Sequence, residues 1–94
     1  MATIVAKHRI MDPERFFAMG EEVTANAPEG VRARQFCPSE EKDEAVCLWE
    51  ADSVDALSGY LDPASAGIAE NTYYVVDQEF AFGLPQEQEQ AAAS

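Results

Sequence analysis

Val46-Cys47-Leu48-Trp49-Glu50-Ala51-Asp52-Ser53-Val54-Asp55-Ala56-Leu57-Ser58-Gly59-Tyr60-Leu61 reads as a strand that runs straight into an amphipathic helix. From Ala45 to Ala51 both alternating sets are mostly apolar: Ala45, Cys47, Trp49 and Ala51 on one, Val46 and Leu48 on the other. A strand with one wet face alternates, so both faces of this one are expected to be covered. Asp52 offers a carboxylate at the N-cap and Asp55 follows three residues on, where negative charge suits the free N–H groups of a helix start. Val54, Leu57 and Leu61, widened by Tyr60, make one helical face. Pro63 is the expected stop, because proline lacks the N–H and disfavours helix in the residue before it.

Working outward, Thr3 to Ile10 alternates as a first strand, with Ile4, Ala6, His8 and Ile10 on the expected core side and Val5, Lys7 and Arg9 on the other. Asp12 caps a helix with Pro13 at its first position, where a missing N–H is harmless. Phe16, Met19, Gly20, Val23 and Ala27 form its apolar stripe, and Pro28-Glu29-Gly30 stops it. Val31 to Cys37 alternates as a second strand, Val31, Ala33, Gln35 and Cys37 against Arg32, Arg34 and Phe36. The polar run Pro38 to Glu44 is a hairpin connection. Tyr73 to Phe82 is the expected last strand, and the Gln/Glu/Ala segment 86–94 a mobile tail after a single domain over 1–85.

The order is strand, helix, strand, strand, helix, strand. Two split units of this kind give a four-stranded antiparallel sheet with both helices on one face, an α+β ferredoxin-like sandwich. Val46, Leu48, Tyr74, Val76, Phe80 and Phe82 are expected to make the other face apolar, and a patch of that size usually marks an interface. A chain of 94 residues buries only about 60–65% of its unfolded surface, which also favours a homodimer. The net charge of −12 repels phosphate backbones and anionic lipid, so nucleic acid and membrane surfaces are poor partners. The first ten residues carry Lys7, His8 and Arg9 in place of a signal peptide's apolar core, and no run is long enough to span a membrane, so a cytoplasmic location is expected.

On this element order, from Ala2 to about Pro85, the chain resembles the dimeric α+β barrel superfamily, in which two ferredoxin-like protomers pack their sheets together. Cys47 to Leu57 is also similar to the strand-to-helix joint of a small family of unknown function with nickel-binding members. The resemblance implies a pocket between each protomer's helices and its sheet. Members of the superfamily include cofactor-independent monooxygenases and cyclases of aromatic polyketides, muconolactone isomerases and haem-degrading enzymes. The haem-degrading branch uses Asn, Trp and His in that chain order, which this sequence does not follow, since His8 precedes Trp49.

No motif in the chain names a reaction. His8, the single histidine, is a candidate general base or metal ligand, set against a hydrogen-bonded core histidine. Trp49 can stack on a planar ligand or simply fill the core. Tyr60 is the tyrosine best placed to shape a pocket. Cys37 and Cys47 are too few for a disulfide framework and read first as buried reduced thiols, with a redox pair or ligand contact as the alternative. Arg34, with Lys7, Arg9 and Arg32, either gathers an anionic ligand or pairs with Glu50, Asp77 or Glu79. No CxxC, HxxxH or HExxH spacing supports a built metal site, so any cofactor is at most a divalent metal such as nickel at His8. Two functions follow: a homodimeric protein binding a small molecule or metal between sheet and helices, or a cofactor-independent monooxygenase or cyclase with His8 as base.

Overall fold

The alternation at the N-terminus does become a strand, β1 (Ala2–Ile10), and it occupies the middle of the fold. In the computed structural model, which describes residues 1–85, it is followed by α1 (Pro13–Ala25), β2 (Arg32–Pro38), β3 (Glu44–Ala51), α2 (Val54–Ser65) and β4 (Ala69–Val75). The tail expected over 86–94 lies outside the described residues. The strands form one antiparallel sheet of order β2-β3-β1-β4, the ferredoxin-like arrangement. Ile4, Ala6 and His8 stand opposite Trp49, Cys47 and Ala45, so one face of β1 and β3 is shared. Onto it pack Val23 of α1 and Leu57 and Leu61 of α2, which places both helices on that side. Ile4 and Leu57 are wholly enclosed. Among the described residues no helix is long and apolar enough to cross a membrane.

The structure departs from the sequence expectations at identifiable points. Ser53, not Asp52, caps α2, its Oγ accepting the Ala56 N–H at 3.1 Å. The strand runs through Ala51, so Ser53 is the residue next to the first helical turn and the one whose side chain reaches it. Pro63 lies inside α2, which continues to Ser65. The Ser65 hydroxyl donates to the Leu61 carbonyl at 2.8 Å, and the reversal falls at Gly67, whose φ of +75° suits a residue without Cβ.

A bulge between Ala33 and Gln35 shifts the register of β2 by one residue. Phe36 therefore pairs with Cys47 on the helix side, while Cys37 pairs with Val46 on the other side and is exposed rather than buried. The two thiols sit on adjacent strands but opposite faces.

The last strand begins four residues earlier than Tyr73 and ends at Val75. Central β1 imposes its register on Ala69 to Asn71 in spite of their weak strand preference. Asp77 then turns the chain, its side chain accepting the Glu79 N–H at 3.0 Å and its carbonyl the Ala81 N–H at 3.0 Å. Phe80 and Phe82 consequently leave the sheet and stand exposed. The segment 76–85 returns over one end of the sheet's second face, where the Val76 N–H donates to the Thr3 carbonyl and the Gln78 amide to the Thr3 hydroxyl. Val5 and Leu48 are buried beneath that face, whereas Lys7, Arg9, Val46 and Tyr74 remain open. That face is thus partly covered by the chain itself and partly charged, less uniformly apolar than the alternation suggests.

Candidate ligand cleft

The bulge in β2 and the stripe of α1 together shape a cleft. Helix α2 lies close on β4 and β3, while α1 approaches chiefly α2 and stands off from the β2 side of the sheet. The gap is a cavity of about 900 Å³, large enough for a small ligand. Phe16, Phe17, Met19, Gly20 and Val23 line it from α1, Ala33 and Phe36 from β2, and Cys47 and Trp49 from β3. The rings of Phe16, Phe17 and Phe36 meet with centroids 5.6–6.1 Å apart, an aromatic group that bridges α1 and β2. Phe36 enters this group only because the bulge turns it inward.

His8 closes the inner end, its ring 5.3 Å from that of Phe16. Its Nδ1 lies 2.6 Å from Asn71 Oδ1 and its Nε2 3.2 Å from Cys47 Sγ. Hydrogen-bond bookkeeping along the chain of contacts fixes the tautomer. The Asn71 amide nitrogen donates to an Asp62 carboxylate oxygen at 3.0 Å and to Ser65 Oγ at 2.7 Å, and Ser65 spends its own proton on Leu61. Asn71 must then offer its oxygen to His8, so Nδ1 carries the proton and Nε2 presents a lone pair. The Cys47 thiol donates to that lone pair. Tyr73 donates to the same Asp62 oxygen at 2.6 Å and completes the network.

Burial lowers the His8 pKa, against the opposing pull of the Asn71 hydrogen bond and the Asp62 charge. Burial pushes the Cys47 thiol up to about 12, with the neighbouring Trp49 indole working the other way. The Tyr73 hydroxyl is raised as well, by burial and then by its carboxylate partner. At neutral pH the centre is therefore an uncharged imidazole facing an uncharged thiol.

Trp49 is 3% exposed, and its indole Nε1 has no hydrogen-bond partner of acceptable geometry among the described residues. That N–H is enclosed beside the Cys47 sulfur, so it is the indole ring that the cleft presents to a ligand.

Of the residues singled out in the sequence, His8, Cys47 and Trp49 are brought together at the cleft, and Arg34 reaches its border. Arg34 also spans toward the second face, where it pairs at 2.9 Å with Glu50, one of the three carboxylates the sequence offers the basic residues, beside the 76–85 segment. Tyr60 is placed elsewhere: its hydroxyl donates to the Val23 carbonyl at 2.7 Å and ties α2 to α1. Cys37 lies on the opposite face of the sheet. As a metal centre the His8 site does not fit. Both ring nitrogens are engaged, and no three His, Cys, Asp or Glu side chains are grouped to hold an ion among the described residues. Asn71, Asp62 and Ser65 are the functional candidates that the sequence reading missed. Had β4 been started at Ala69, its alternation would have put Asn71 and Tyr73 on the helix side, opposite His8 and Ala6.

No protein-family model matches the chain, and the search of curated proteins returned no match. Function is therefore argued from the site itself.

Proposed function

We propose that the protein binds a small, largely apolar aromatic molecule in the cleft between α1 and the β2–β3 side of the sheet. The observation that carries this is the largely apolar cavity of about 900 Å³ walled by Phe16, Phe17, Phe36 and the Trp49 indole. Phe16, Phe17 and Phe36 offer edges and faces for a ring, and the Trp49 indole closes the wall beside Cys47. A homodimer through the open part of the second sheet face belongs to this reading, supported by exposed Val46, Tyr74, Phe80 and Phe82. Sedimentation velocity at micromolar concentration checks it, a single monomer boundary removing the dimer.

Trp49 is the only tryptophan, so its fluorescence reports on the cleft directly. Titration with 1-naphthol is expected to give a saturable change in that emission. Gly20 lines the same cleft in mid-helix, and a Cβ there would meet nothing within 4 Å. Gly20→Leu should therefore occupy the cavity, abolish the titration and stabilise α1 by roughly 0.5–1 kcal/mol. A wild-type protein that does not respond, or a Gly20→Leu protein that responds equally, removes the reading.

The second reading, a cofactor-independent monooxygenase or cyclase acting on an aromatic substrate, draws support from the His8 tautomer, whose Nε2 is an unprotonated base at the inner end of the cleft. It requires the substrate's acidic group to take the place of the Cys47 thiol at Nε2. Oxygen uptake with an electron-rich naphthol or anthrol, lost in His8→Gln, tests it.

A further inference from the structure

Cys47, His8 and Asn71 stand in hydrogen-bonded series, sulfur to Nε2 at 3.2 Å and Nδ1 to amide oxygen at 2.6 Å. Each comes from a different strand, β3, β1 and β4, and the sheet register brings them side by side. The geometry points to Cys47 as a nucleophile that His8 deprotonates and Asn71 orients, acting on small aryl esters or thioesters held in the cleft. The inference rests on the ligand-binding reading above and adds a reaction to it.

The parts have separate roles. Cys47 and His8 line the cavity and would touch a bound ester. Asn71 is a positioning residue, held by Asp62 and Ser65 so that only its oxygen faces the ring. Because burial keeps the thiol protonated, the pair does not rest as an ion pair. It resembles a hydroxyl nucleophile with its base, giving up its proton as it attacks. Asp62, behind Asn71, favours the imidazolium that forms. The Trp49 indole N–H, beside the sulfur, favours the negative charge that develops there as the proton leaves.

The step balances without any oxidant or reductant. Cys47 Sγ bonds to the ester carbonyl carbon while its proton passes to His8 Nε2. The tetrahedral intermediate collapses with cleavage of the carbon–oxygen bond, and the phenol leaves with the Nε2 proton, or as phenolate while Nε2 gives that proton to solvent. The thioester at Cys47 is then opened by water, which gives one proton to Nε2. The carboxylic acid departs and the thiol is restored.

The probe is 4-nitrophenyl acetate, applied to the Cys37→Ser protein so that the exposed thiol on the opposite face contributes nothing. Expected are a burst of 4-nitrophenolate close to one equivalent, one acetyl group added by intact mass, and its mapping to Cys47. The rate in this Cys37→Ser protein should rise with pH through the lowered His8 value and level off near neutrality. Facing or lining that site are Cys47 from β3, Asp62 from α2, Tyr73 from β4, Glu21 from α1 and Arg34 from β2. His8→Gln should slow acetylation by about 100-fold. Asn71→Ala should slow it by about 10-fold and move the midpoint to lower pH, since the amide hydrogen bond raises the His8 value, a shift that a merely structural role would not produce. An unmodified Cys47, an unchanged rate in His8→Gln, or a profile that climbs only with thiol ionisation at alkaline pH overturns the inference. The Cys37→Ser profile decides this even if a His8 or Asn71 variant fails to fold. Saturable 1-naphthol binding without acetylation removes the nucleophile and leaves the binding reading, whereas acetylation of Cys47 that 1-naphthol cannot block removes the aromatic-binding reading.

Discussion

Lys7 and His8 are neighbours on β1, yet they face two different solvents. On the side of Lys7 and Arg9 the sheet carries charge in the open, as in the Arg9–Glu70 pair at 3.3 Å with both side chains more than 60% exposed. On the side of His8 the polar groups are enclosed by Phe16, Cys47 and the helices and are linked to one another in a series that leaves imidazole and thiol neutral. One residue of strand separates groups that can be solvated singly from groups that must be satisfied by each other. The lesson is that the helix face holds its polar residues by obligatory pairing and can therefore orient them, while the open face places few constraints on its own.

The comparison is most severely tested by truncation. Trp49→Ala, on the enclosed side, should lower unfolding free energy in urea by about 3–5 kcal/mol, whereas Tyr74→Ala, 54% exposed on the other side, should stay within roughly 0.5 kcal/mol. Equal losses would mean that the second face is buried as deeply as the first, as in a tight dimer.

Two ion pairs on the second face, one beside the 76–85 segment and one in the open, give the next contrast. Arg34, whose side chain is 2% exposed, pairs with Glu50 at 27% exposure. Glu50→Gln should cost about 2 kcal/mol, because the desolvated guanidinium loses its charged neighbour, less than a fully enclosed pair would lose. Glu70→Gln on the open pair should cost no more than roughly 0.5 kcal/mol. Added salt should weaken the second and leave the first nearly unchanged.

The smallest effect is a pH dependence. The folded state holds His8 below its ordinary value of 6.5, so between that lowered value and 6.5 the unfolded chain binds more protons than the folded one. Stability due to His8 is therefore present above pH 6.5 and is lost as pH falls through this window. Urea midpoints compared from about pH 7.5 down to about pH 5.5 should drop more in the wild type than in His8→Gln, the difference isolating His8 from the carboxylates.

The two helix starts show how far local signals reach. Asp12 accepts the Arg15 N–H as its spacing suggests, because Pro13 fixes where the helix can begin. Asp52 and Ser53 are both good caps, and only the length of β3 decides between them. The end of the chain is harder still. Tyr73 to Phe82 has the composition of a strand, but Asp77 turns it, and the weak strand formers Ala69 to Asn71 are recruited because central β1 needs a partner along its free edge.

By itself the sequence determined the element order, the ferredoxin-like sheet, and the side of β1 and β3 that meets the helices. Those follow from periods of two and of three to four apolar residues and from caps, which act over a few neighbouring positions. Only the tertiary structure decided that Phe36 turns inward, that Cys37 and Cys47 part to opposite faces, and that His8 meets Asn71 and Cys47. Each depends on register between strands distant along the chain, where a single extra residue, such as the bulge between Ala33 and Gln35, exchanges one face for the other.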